Sequence, residues 1–162
     1  MRIIIKETTI SNFTIIQELS QNHIIALGNS VDIRQPISEV VSNFESLSQR
    51  KTKLRKLGIY TIVNFKDLYV NLSHKSCLQI ARQYINDIGW HDLQYVCFLD
   101  IRPRNIFIHI VFNRVTPNNQ LIATDCIGAT WQQYEILHQA CSRIIEQSPH
   151  YLSSQKQTLS YV

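Results

Sequence analysis

The sequence has no pair of closely spaced cysteines. Its four cysteines are Cys77, Cys97, Cys126 and Cys141, so no C-x-x-C motif is available for zinc binding or redox chemistry. All four stand among apolar residues, and we interpret them as small hydrophobic side chains in a reducing compartment. A disulfide framework and a zinc site built on C-x-x-C pairs are therefore excluded.

The sequence also has no hydrophobic run long enough to cross a membrane, which takes about 20 apolar residues. Its first five residues are followed by Lys6 and Glu7 instead of the apolar core of a signal peptide. We therefore predict a cytoplasmic protein with no membrane partner.

The amino-acid composition is typical of one globular domain. The chain has 162 residues, of which 44% are hydrophobic and 17% are charged. Its formal net charge of +4 permits a polyanionic partner without requiring one. We predict a single domain over residues 1–147 and a polar tail over residues 148–162, where the hydrophobic periodicity ends.

Hydrophobic periodicity predicts the element order β-α-α-β-α-β-β-β-α. We expect Ser11 to cap the first helix, Gly28 to Ser30 to form a loop, and residues 121–124 to form a short strand. Ser73 and Gly89 are the start and stop signals of the third helix. Strands joined both by hairpins and by helices predict an α+β fold, with an antiparallel-rich sheet of about five strands and helices packed on it.

Two apolar strands, Gln94 to Ile101 and Ile106 to Val115, are predicted to form a hairpin. The short segment between them contains Pro103, which suits the second position of a tight turn. A two-residue turn would place Asp100 opposite Phe107, and on the same face as His109.

A carboxylate within an apolar strand is costly unless it has a partner. Asp100 is therefore expected either to bond a neighbour such as His109 or to lie at a functional face. His109 by itself could equally be a core histidine. Asn113 is expected to lie on the same face of its strand as His109, because the two positions are four residues apart.

Phe107-Ile108-His109 is followed by Asn113-Arg114-Val115 and then by Pro117-Asn118. This pattern resembles the plasmid-mobilisation relaxases, the Mob-type branch of the HUH single-strand endonucleases, which carry His-x-His-x-x-x-Asn-Arg-Val on a central strand. The first helix, the segment from Ile80 to Val96 and the last helix are similar to that family as well. The resemblance implies a relaxase fold over most of the domain.

In that family three histidines hold a divalent metal on the scissile phosphate, and an N-terminal tyrosine forms a covalent phosphotyrosine. Here His109 is the one histidine in the matching frame. Phe107 replaces one ligand, and Asp100, or Leu99 if the register of the turn shifts by one residue, takes the place of the outer histidine. Glu18 stands at the position of the nucleophile. The resemblance therefore implies a degenerate active site, in which His109, Asp100 and Asn113 could still hold Mg²⁺ or Mn²⁺ weakly.

Three functions follow from these residues. The first is a relaxase-like protein of a plasmid mobilisation system that binds single-stranded DNA at the origin of transfer, alongside other relaxosome proteins, with lost or impaired nicking. The second is an active metal-dependent nickase with a rearranged site, in which Tyr60 is the nucleophile and His109 with Asp100 binds the metal. The third is a protein-interaction module without nucleic-acid binding.

Residues 50–56 are mostly basic, which is typical either of a solvated connector or of a phosphate-contacting segment. Under the first hypothesis this segment and three further arginines contact DNA phosphates. The expected phosphate contacts are Arg50, Lys51, Lys53, Arg55, Lys56, Arg102, Arg104 and Arg114. Tyr60, Tyr69 and Trp90 are candidates for stacking on bases, and ordinary packing is the alternative for each.

Overall fold

The computed structural model describes residues 2–68, 72–123 and 131–146. These residues form five strands and four helices. They are β1 (Arg2–Ile10), α1 (Thr14–Ser20), β2 (Ile25–Asn29), α2 (Ile37–Ser48), β3 (Gly58–Lys66), α3 (His74–Asp87), β4 (Tyr95–Arg102), β5 (Asn105–Asn113) and α4 (Trp131–Glu146). The strands form one antiparallel sheet in the order β1-β3-β5-β4-β2, so the predicted α+β fold is confirmed.

Two hydrophobic cores lie on opposite faces of the sheet. Helices α3 and α4 pack against one face, where β5 contributes Ile106, Ile108, Ile110 and Phe112. Helices α1 and α2 pack against the other face through residues that include Phe13 and Phe44, and there they meet Val96, Phe98 and Val111. The second core is smaller because α1 and α2 contact only part of their face.

Local capping chemistry explains where α3 begins and ends. The Ser73 hydroxyl accepts a hydrogen bond from the Ser76 amide at 3.1 Å, and Gly89 follows the helix with a φ of +82°. Both predicted signals are confirmed. The prediction for Ser11 is wrong: in α1 the Asn12 carboxamide oxygen accepts the bond from the Thr14 amide at 3.1 Å.

Strand β2 differs from the predicted loop at Gly28. This strand pairs with β4 at the edge of the sheet, with an irregularity between Ile25 and Leu27. A Cβ at Gly28 would collide with the Ile33 side chain, so the glycine admits a close neighbour and does not break the strand. Within residues 121–123, the described part of the predicted strand over 121–124, only a bridge between Val115 and Leu121 forms.

Three of the four cysteines, Cys77, Cys97 and Cys141, are buried as predicted. Cys126 lies outside the described residues, as does the predicted tail over residues 148–162. In the part of the chain that the structure describes, no helix has the length and apolar character needed to cross a bilayer.

Asn113 is the polar residue that ties α2 to the end of the hairpin. Its side chain is fully buried, and the amide nitrogen donates to the Phe44 carbonyl at 2.9 Å and to Gln94 Oε1 at 3.0 Å. The Asn113 side-chain oxygen, Oδ1, accepts a hydrogen bond from the Val115 amide at 3.1 Å. Every hydrogen-bonding atom of this side chain therefore has a partner within the protein.

Replacing Asn113 with alanine is expected to lower the free energy of unfolding by roughly 3 kcal/mol, because it removes three buried hydrogen bonds and leaves their partners unsatisfied. Chemical denaturation followed by circular dichroism measures the change. Asn86→Ala, at an exposed position on α3, is the control and should change stability by less than about 0.5 kcal/mol. Equal effects of the two substitutions would contradict this role for Asn113.

Candidate functional site

The hairpin of β4 and β5 has the two-residue turn that Pro103 predicts. Arg102 pairs with Asn105, Asp100 with Phe107, and Phe98 with His109. The second turn residue, Arg104, has a φ of +60°, in the left-handed region. Asp100 and His109 therefore share a face of the sheet, as expected.

That shared face is only partly covered. Helices α1 and α2 pack over its end near Val96 and Val111, and no described helix packs over the other end. We call the uncovered part the open face. It comprises the residues of this face within 2–6 of β1, 62–66 of β3, 105–109 of β5 and 100–102 of β4.

His109 lies where the open face meets α1, and it is hydrogen-bonded to a tyrosine. The Tyr60 hydroxyl is 2.7 Å from His109 Nδ1. Strand β3 brings the two together. His109 pairs with Ile62 of β3, and Tyr60, two residues before Ile62, points to the same face of the sheet. Sequence reasoning raised Tyr60 as a candidate without fixing its position, and the structure places its hydroxyl on His109.

Three rings, including that of Tyr60, surround the His109 imidazole and are nearly parallel to it. The His23 ring centroid is 5.5 Å away, that of Tyr60 6.0 Å and that of Phe107 6.3 Å. The Arg102 guanidinium lies 5.4 Å from the centroid of the Phe107 ring, within the range of a cation–π contact. These groups form a continuous line of aromatic and cationic side chains.

Burial and neighbouring charges favour the neutral forms of Tyr60 and His109. Burial raises the pKa of the Tyr60 phenol to about 12, and repulsion from Glu18 on α1 adds to this shift. Burial also lowers the pKa of His109, His23 lowers it further, and Asp100 acts in the opposite direction. A neutral His109 can accept a hydrogen bond from the Tyr60 hydroxyl at Nδ1 only if the proton of its own ring is on Nε2.

Asp100 is paired with Arg102, two residues further along β4. The Arg102 Nη2 lies 2.7 Å from Asp100 Oδ2, and Nε lies 3.0 Å and 3.2 Å from the two carboxylate oxygens. The hydrogen bonds from Arg102 hold the pKa of Asp100 below its usual range. The carboxylate is thus partnered by Arg102, and not by His109.

The three predicted metal ligands do not converge on one point. Asp100 is engaged by Arg102, and His109 offers the Nε2 lone pair to a metal only in the tautomer in which its Nδ1–H donates to Tyr60. Asn113 lies about 13 Å along β5 from His109, and its amide is sealed under α2. Among the described residues, no three His, Cys, Asp or Glu side chains cluster as a metal site would require.

The predicted phosphate contacts lie in three different places. Residues 50–56, which we call the basic loop, precede β3 at the covered end of the sheet, about 26 Å from the hairpin turn with Arg102 and Arg104. Arg50 donates to the Pro117 carbonyl and to Asn119 Oδ1, both at 3.1 Å. The remaining basic side chains of the loop are exposed, namely Lys51, Lys53, Arg55 and Lys56.

Two of the predicted contacts are occupied inside the protein. Arg114 is buried, and its guanidinium donates to the Lys56 carbonyl at 2.6 Å and to the Ile122 carbonyl at 2.9 Å, which corrects its assignment to phosphate. Trp90 is partly buried and packs edge-on against Phe112 on the sheet face covered by α3 and α4, which is opposite the open face. Tyr69 lies outside the described residues.

His23 belongs to the site, and sequence reasoning missed it. It lies in the turn between α1 and β2, with its ring stacked on His109. No spacing in the sequence relates positions 23 and 109, because only the placement of α1 over β4 and β5 brings them together. A histidine following the helix that resembles the family's first helix was the one available signal.

The His109 titration provides a direct test of this arrangement. His23→Gln is expected to raise the pKa of His109, because it removes a neighbouring imidazole, whereas Asp100→Asn is expected to lower it. Both shifts can be followed by NMR from the His109 ring proton resonances across pH. His91→Gln, at an exposed position before β4, is the control and should leave the titration unchanged. A His109 pKa that does not respond to His23→Gln would rule out the stacked pair.

The comparisons with known proteins give the family. No curated protein matches the chain. A solved structure from work on the molecular basis of vancomycin resistance transfer in Staphylococcus aureus has 12% sequence identity and a TM-score of 0.48, over 77% of this chain and 69% of that one. The family model for "Relaxase: MobA/VirD2-like, nuclease domain" matches residues 16–148. The chain therefore belongs to the MobA/VirD2-like relaxase nuclease-domain family.

Proposed function

We propose that the chain serves its relaxase-like mobilisation function by binding single-stranded DNA on the open face, with nicking lost or impaired. The observation that carries this proposal is the surroundings of His109. Phe107 and the Asp100–Arg102 pair flank it on the open face, so the site offers aromatic and cationic groups. Single strands are bound by such combinations of stacking rings and basic side chains.

The chemistry of His109 supports binding over cleavage. With Nδ1 accepting from Tyr60, the Nε2–H of His109 is a hydrogen-bond donor and suits a phosphate oxygen better than a metal. Relaxases of this family use a divalent metal to absorb charge on the scissile phosphate. Without fitting ligands that contribution is missing, and Glu18 stands where the resemblance places the nucleophile.

A second candidate rests on one specific contact, the 2.7 Å hydrogen bond between Tyr60 and His109. In an active enzyme the Tyr60 oxygen would form a bond to phosphorus while the bond from phosphorus to the leaving sugar oxygen breaks. His109 would take the phenol proton at Nδ1, and water would protonate the leaving oxygen. The raised pKa of Tyr60 opposes this route, because it makes the phenolate scarce.

The cytoplasmic location, other relaxosome proteins as partners and a single domain over residues 1–147 remain predictions. Weak binding of Mg²⁺ or Mn²⁺ through His109, Asp100 and Asn113 is the least supported of the earlier expectations, since the three side chains do not converge.

Binding can be measured by fluorescence anisotropy with a labelled single-stranded oligonucleotide and the full chain. With three phosphate contacts the affinity is expected to fall roughly 20-fold between 50 and 200 mM salt, because each contact releases counterions. EDTA and Mn²⁺ are expected to leave the affinity unchanged. If no binding is detected at either salt concentration, the protein-interaction module becomes the better hypothesis.

Cleavage is tested by incubating the full chain with labelled single-stranded oligonucleotides and Mn²⁺, followed by a denaturing gel. We expect neither a cleaved product nor a covalent protein–DNA adduct. An adduct that is lost in Tyr60→Phe and kept in Tyr95→Phe, whose ring packs on the opposite face against Phe112, would instead establish the second candidate.

A further inference from the structure

The sheet register places basic residues of three strands in one row across the open face. Side chains of directly paired residues in an antiparallel sheet point to the same face. Arg2 pairs with Lys66, Lys66 with Asn105, and Asn105 with Arg102. We call these four residues, which come from β1, β3, β5 and β4, the transverse row.

Two of the three cations in the transverse row, Arg2 and Lys66, have no ion-pair partner among the described residues. Arg2 and Lys66 are directly opposite each other, an arrangement of like charges that destabilises a sheet. Among the described residues neither has an ion-pair partner, since the two salt bridges found there are Arg34–Asp32 and Arg102–Asp100. Lys6, two rows further along β1 and exposed, adds a further positive charge to the same face.

Two unsatisfied carboxamides lie in and beside the row. The buried Oδ1 atoms of Asn64 and Asn105 have no hydrogen-bond partner among the described residues. Asn64 is only 7% exposed, and it pairs with Phe107 in the row next to Asn105. A buried polar atom without a partner is costly, and this cost is relieved when a ligand supplies the missing hydrogen bond.

We propose that the transverse row binds successive phosphates of one DNA strand, which crosses the open face at right angles to the β-strands. The row spans three gaps of about 4.8 Å between strands, roughly 14 Å, a distance that a single DNA strand crosses with two or three consecutive phosphates. Arg102 contributes while it remains paired with Asp100, because its Nη1 has no partner among the described residues.

The bases of the bound strand face the next row, toward His109. There the Phe107 ring provides a stacking surface for a base, and Asn64 pairs with Phe107 in the same row. The inference rests on the proposed function, and it assigns the contacts to residues other than the basic loop.

The test compares two double variants that each remove two positive charges. Arg2→Gln with Lys66→Gln alters the transverse row, and Lys51→Gln with Lys53→Gln alters the basic loop about 26 Å away. Fluorescence anisotropy with a labelled single-stranded oligonucleotide is recorded from 50 to 200 mM salt for both variants and for the unaltered full chain. Thermal melting of both variants confirms that each is folded.

We expect the row variant to bind about 10-fold more weakly at 50 mM salt, with the slope of log affinity against log salt reduced by about 1.4, or about 0.7 for each lost phosphate contact. The loop variant should stay within about threefold of the unaltered chain. Equal losses, or a larger loss in the loop variant, would overturn the transverse row while leaving the proposed function in place. Absence of binding by the unaltered chain would overturn both.

Discussion

The pairing of β5 with both of its neighbours determines which side chains of this protein can act together. Strand β5 is bonded to β3 on one side and to β4 on the other, in registers without a bulge. A shift of one residue in either register would turn His109 or Asp100 into the opposite core. The tight turn at Pro103 and the buried apolar residues of β5 hold this register, and the site follows from it.

The same register determines which side chains stand where the family pattern has histidines. Phe107 and Asp100 stand on the open face beside His109, where further imidazoles would be needed for a metal. Arg102 satisfies the Asp100 carboxylate and stacks on Phe107, so the two departures from the family pattern support each other. The result is an ion pair next to an aromatic ring, both beside His109.

Features of the fold that depend on neighbouring residues could be predicted from the sequence. The cap at Ser73, the stop at Gly89 and the turn at Pro103 are signals of one to four residues, and each acts where the pattern indicates. The prediction of a loop at Gly28 was wrong because, in the sequence, a glycine that admits a close neighbour cannot be distinguished from one that ends a strand. The outcome depends on Ile33, whose position is set by tertiary packing.

The candidate site was less predictable, because its members come from distant segments. His109, Asp100 and Phe107 were placed correctly from strand alternation, yet the contact of His109 with His23 requires knowledge of the topology. Asn113 matched a motif by position, but a motif does not say whether its amide faces a ligand or the backbone of a helix. The basic loop could be recognised in the sequence because its charges lie within seven residues. Arg2, Lys66 and Arg102 come into one row only when the sheet forms.

Strand β1, which carries Arg2 and Lys6, is also an edge of the sheet. Within the described residues nothing pairs with its outer side, so its backbone amides and carbonyls could accept a strand from another molecule. Positive side chains along such an edge repel a second copy of the same edge. The positive charges of Arg2 and Lys6, which we propose to face DNA, would therefore also oppose edge-to-edge aggregation of the protein.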